Sequence, residues 1–184
     1  MEAEESAGQE PAAQATEEST PPESPRAALR AALTATQTAF HHLLDSLDES
    51  EWRQPSGDPA WTVGEQLAQA ADELALVPRT VAAARTGRDF SPPQARGVTR
   101  AINTRTTRQM VRHATPASVR AKYDAGYAAV CAALDDTSDA DWERGATFFG
   151  AYQTVADVFR RVPTDFAGHA AAVAQGLGRA QLPG

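Results

Sequence analysis

Apolar positions along this chain recur at alternating spacings of three and four, the pattern of helices that each bury one face. The first run holds Leu29, Leu33, Thr36, Phe40, Leu43 and Leu47. Ser24 and Pro25 precede it: a capping hydroxyl, then a proline at the first helical position, where its missing N–H is not needed. This predicts a helix running to about Asp48. A second helix is predicted from Thr62, with Glu65 three residues on to complete a capping box. Its seam is Val63, Leu67, Ala70, Leu74, Val77, Val81 and Ala84, and Gly87 ends it. Thr115 and Pro116 open a third, with Val119, Tyr123, Tyr127, Val130 and Leu134 on one face. Thr154 and Asp157 cap a fourth, whose seam is Val155, Val158, Val162, Phe166, His169, Val173 and Leu177. Pro163 lies inside this last helix, where it removes a backbone donor and crowds the preceding turn. A kink or break is expected there.

A weak internal repeat organises these elements. Asp48-Glu-Ser-Glu-Trp52 resembles Ser138-Asp-Ala-Asp-Trp142. Each segment follows a helix and precedes a Thr-Val helix start, at Thr62-Val63 and Thr154-Val155. The reading is an all-α, four-helix bundle made of two αα-hairpins, each with a Trp-bearing loop. Trp61 and Trp142 are expected to pack at the bundle ends rather than to form a ligand box. Residues 88–114 join the hairpins, and a connection that long suggests a crossover along the length of the bundle.

Composition changes the picture at the N-terminus. Residues 1–25 carry seven glutamates and no Lys or Arg. Removing them from the count leaves 17 acids against 17 basic residues, so the remainder is formally neutral. With almost no large apolar side chain, the segment cannot offset its ordering entropy and is expected to be a disordered acidic tail. The helical domain is then 26–184. No apolar run approaches the roughly 18–20 residues of a membrane span. No signal peptide is expected, and cytoplasm is the default compartment. The single cysteine, Cys131, rules out an intrachain disulfide and a cysteine-rich zinc site, and looks like a small buried residue.

Trp61-Thr-Val-Gly-Glu-Gln-Leu-Ala-Gln69 resembles the second-helix signature of DinB-like proteins, which include the N-terminal domain of mycothiol-dependent maleylpyruvate isomerases. Leu47-Asp-Glu-Ser-Glu-Trp52, Ala101-Ile-Asn103 and Asp165-Phe-Ala-Gly-His169 fit the same pattern, and the resemblance covers about residues 26–178. It implies a DinB-like four-helix bundle with a pocket between helices. In many members three histidines hold nickel or zinc there, one on the second helix and two a turn apart on the fourth. Imidazole suits such metals, and three protein ligands leave a position open. Characterised members suggest thiol-dependent transfer or isomerisation.

In this chain the corresponding positions are Gln69, Asp165 and His169, so two imidazoles are missing. The three are expected to converge in one cleft, with Asp165 and His169 hydrogen-bonded to each other directly or through water. No cofactor is expected, although a divalent nickel or zinc ion is compatible with two oxygens and one nitrogen. A lone seam histidine is more often a hydrogen-bonded core residue than a ligand. His41, His42 and His113 are read as structural or solvated. Arg100, Arg105 and Arg108, within the basic stretch from Arg96 to Arg112, are candidates for anion binding. They equally form a solvated face or meet acids elsewhere. The neutral domain argues against nucleic acid.

Two functions stay open. One is a non-catalytic bundle with a degenerate metal site, for small-molecule binding or protein association, a homodimer included. The other is a metal-dependent enzyme of thiol transferase or isomerase type acting on a small substrate.

Overall fold

A computed structural model describes residues 24–89, 113–148 and 150–179. The acidic tail (all but its last two residues) and the segment bearing Arg100, Arg105 and Arg108 lie outside the described residues.

Four long helices dominate. They are α1 (Pro25–Asp45), α3 (Val63–Thr86), α4 (Pro116–Asp135) and α5 (Val155–Gly176). A four-residue helix, α2 (Glu49–Trp52), follows α1. The starts are those the sequence predicts. Ser24, Thr62, Thr115 and Thr154 each accept a backbone N–H of the first turn through the side-chain hydroxyl. Gly87 ends α3 in the left-handed conformation, at φ 63°, which glycine adopts without a side-chain clash.

Two expectations are corrected. The first helix stops at Asp45 rather than Asp48, because Asp48 caps α2 instead, its carboxylate accepting from Ser50 and Glu51 N–H groups. Of the kink or break expected at Pro163, the break does not occur: α5 continues through it, and α3 likewise runs through Pro78. One lost backbone bond is outweighed in each by a long face packed on the core.

Contacts along the helices set their directions. From α1 to α4, Arg30 pairs with Asp135, Thr34 shares a hydrogen bond with Tyr127 (2.9 Å), His41 meets Asp124 (2.7 Å), and Asp45 pairs with Arg120. Partner numbers fall as α1 rises, so the two are antiparallel. Asp72 pairs with Lys122, and Leu74 and Ala75 face Gly126, so α3 and α4 run parallel. Phe40 meets Phe166, and Ser46 meets Arg179 just beyond α5, so α1 and α5 are parallel too. The order is up-down-down-up. Parallel α3 and α4 put Thr86 and Pro116 at opposite ends of the bundle. Those ends are separated by about the length of a 24-residue helix, about 36 Å. The connection itself lies outside the described residues.

The closest packing joins α3 to α4 and α5, with α1 against α4 and α5. Phe40, Leu43, Leu67, Val81, Val130, Leu134, Val155, Phe159 and Val173 form the fully buried centre. Phe40 stacks on Tyr123 with ring centroids 3.6 Å apart.

The internal repeat is physical. In the first loop the Gln54 carbonyl accepts from Val63 N–H (2.9 Å), and Pro55 bridges Thr62. In the second the Arg144 carbonyl accepts from Val155 N–H (2.8 Å), and Gly145 pairs with Thr154. The second loop extends this pairing into an antiparallel hairpin, β1 (Gly145–Phe148) and β2 (Ala151–Thr154). Sequence reading passed over it because four-residue strands carry too little alternation to register. Gly150 turns the hairpin at φ 86°. Trp61 is buried at the start of α3, while Trp142 packs edge-on to Phe159 beneath the Arg26 guanidinium.

Candidate functional site

Polar side chains enter the core between α3 and α5. Gln66 and His169 are both buried. The Gln66 amide donates to His169 Nδ1 (2.9 Å), which leaves the ring proton on Nε2. Nε2–H donates to Glu73 Oε2 (3.0 Å), and Gln69 donates to Glu73 Oε1 (3.0 Å). One carboxylate is thus held by two donors, one at each oxygen. Burial raises the Glu73 carboxyl. The hydrogen bond from His169, the Gln69 amide and the more distant Arg161 outweigh it, and hold the group below the usual glutamate range. Two acceptors in this chain go unmet: Gln66 Oε1 and Gln69 Oε1 are buried without a partner.

Beside the chain lies a cavity of about 30 Å³, room for a water molecule or two. Glu73, Asp165 and His169 line it, with Tyr123 and Phe166 among its apolar walls. Burial pushes the Tyr123 phenol above its ordinary range, so it stays a neutral hydroxyl. The cavity sits on the internal repeat. Ala70, Glu73, Leu74 and Val77 of α3 line it opposite Val162, Asp165, Phe166 and His169 of α5. Each pair is separated by the same interval as the capping threonines Thr62 and Thr154.

The sequence-derived residues therefore arrive by different routes. Asp165 and His169 line the cavity, and Gln69 joins it through Glu73. A direct Asp165–His169 hydrogen bond is not formed. Asp165 turns toward Arg161, one turn back on its own helix (3.3 Å), and His169 takes Glu73 across the interface instead. Gln66 and Glu73 were missed. A signal existed for each: a glutamine beside seam residue Leu67, and a glutamate between Ala70 and Leu74.

The remaining histidines do not approach the site. His41 is clamped to Asp124, and His42 and His113 are exposed. Cys131 is half-buried rather than buried.

The fold and this site define a class: an all-α bundle with a small polar pocket between its helices. The DinB superfamily profile matches residues 32–172, and the chain belongs to that superfamily. No curated protein and no solved structure matches it significantly.

A metal implied by the superfamily finds a poor fit among these side chains. Gln69 presents its nitrogen to Glu73, Asp165 faces Arg161, and both His169 nitrogens are engaged. Among the described residues no group of three or more His, Cys, Asp or Glu side chains is arranged to hold a metal ion. No helix among them is long and apolar enough to cross a membrane.

Proposed function

We propose that this DinB-superfamily bundle is a small-molecule-binding protein whose interhelical pocket works without a resident metal. The observation that carries the reading is the hydrogen-bonded chain Gln66–His169–Glu73–Gln69 beside a mainly apolar cavity into which Glu73, Asp165 and His169 bring polar groups. Gln66 fixes the imidazole in one orientation, so its outward N–H is already aimed. A donor held in place before binding does not lose that freedom on binding. The positions that elsewhere carry ligating histidines are committed here to hydrogen bonds. That arrangement supports recognition rather than Lewis-acid chemistry, and the neutral domain supports a small partner over nucleic acid.

Calorimetric titration of the untagged protein with nickel and zinc tests the reading. The expected result is no stoichiometric tight binding. Sub-micromolar binding (about −8 kcal/mol or better) that disappears in His169→Ala would overturn it. The metal-dependent thiol transferase or isomerase would then be the better description.

A further inference from the structure

We infer that Glu73 occupies its own pocket as a stand-in for the ligand, and that the pocket takes a small carboxylic acid bearing a hydroxyl or amine donor. The inference rests on the binding function proposed above and names the ligand class for that same site.

The Glu73 carboxylate is received as a bound anion would be. Each oxygen accepts one donor at 3.0 Å, from His169 on α5 and from Gln69 on α3. Gln66 stands behind the imidazole and orients it. Such a two-donor cradle is built for a carboxylate whichever molecule supplies it, since charged acceptors form the stronger hydrogen bonds.

Glu73 is also placed to leave. Its side chain is 43% exposed, whereas that of His169 is only 10% exposed. The Glu73 side chain therefore lies nearer solvent than the imidazole. Rotation of one flexible side chain into solvent would uncover His169 Nε2 and join the small cavity to the outside. Asp165 offers no competition for the cradle, because Arg161 holds it.

The fit of Glu73 is incomplete. With it in place, Gln66 Oε1 and Gln69 Oε1 remain buried and unpartnered, in a residue more than nine-tenths buried in the case of Gln66. Buried acceptors without partners are uncommon and call for an explanation. Gln66 Oε1 lies on the far side of the imidazole, but the Gln69 amide already meets the carboxylate, and a carboxylic acid with a donor next to its carboxylate would also answer Gln69 Oε1. Glu73 has only methylenes at that position.

The test uses acetate and glycolate with the full chain. Glu73→Ala removes a CH2–COO⁻ unit, the fragment that acetate replaces. Acetate is expected to bind this variant and to raise its melting temperature. Wild type is expected to bind at least about tenfold more weakly, because a tethered carboxylate competes at high effective concentration. Glycolate is expected to bind more tightly than acetate. Changing His169 to Ala in the same background should abolish both effects. Should Glu73→Ala fail to fold, Glu73→Gln serves, since a neutral amide is a weaker occupant of the cradle and acetate should still displace it.

Absence of acetate binding in a folded variant would overturn the inference. So would equal affinity in wild type and variant, or glycolate no tighter than acetate. These outcomes are separate from the metal titration. Nickel or zinc binding defeats the proposed function, whereas silence toward carboxylates defeats only the ligand assignment.

Discussion

Gln66 and Glu73 act on His169 from opposite sides, and each can be tested by one substitution. Gln66→Leu leaves the buried Nδ1 without its donor. The expected loss is about 1–3 kcal/mol, the cost of an unsatisfied buried polar group, read by chemical denaturation. Glu73 predicts a pH dependence. Its carboxyl is depressed in the folded state, so its contribution is complete above the unfolded glutamate pKa of about 4.3. That contribution fades as pH falls from there through the lower folded value. Depressed carboxyls at the caps Asp48, Asp141 and Asp157 shape the same acid limb. The informative quantity is therefore the difference between wild type and Glu73→Gln. The two should differ most near neutral pH and converge in acid, and parallel curves would contradict the pairing. His169 was legible from its place on the α5 seam. Its partners left only a faint trace beside the α3 seam, because Gln and Glu on a helix usually mean solvent, and only the approach of α5 makes these two inward-facing.

Helix ends account for most of what was readable at the scale of elements. A hydroxyl followed three residues later by an acid satisfies two free amides in both Thr62–Glu65 and Thr154–Asp157, a purely local bargain that neighbours do not alter. Thr154→Ala is expected to cost about 1 kcal/mol by thermal or denaturant unfolding. Close approach was not readable in this way. A Cβ on Gly64 would lie 2.3 Å from the Trp52 ring, so Gly64→Ala should overpack the joint between α2 and α3. A destabilisation of about 1–3 kcal/mol is expected, and indifference to this change would mean that Trp52 moves freely. The β1–β2 hairpin and the separate α2 likewise came from pairing and capping across a loop, not from periodicity.

Phe40 is where the whole molecule meets: it lies on α1, stacks on Tyr123 of α4 and touches Phe166 of α5. Phe40→Ala is expected to cost about 3–5 kcal/mol in global unfolding, since a fully buried ring is lost from a junction of three helices. The four long helices, their starts, the internal repeat and the all-α class were settled by the sequence, because capping and the 3.6-residue period are local and each long helix displays them whatever it packs against. The length of the crossover hinted at the up-down-down-up order. Only tertiary structure decided that α3 and α4 run parallel, since direction depends on which faces interlock. Tertiary structure also decided the site. Gln69, Asp165 and His169 were found as positions in one chain. The hydrogen bonds that commit Gln69 to Glu73, Asp165 to Arg161 and His169 to a carboxylate on another helix exist only once α5 lies against α3.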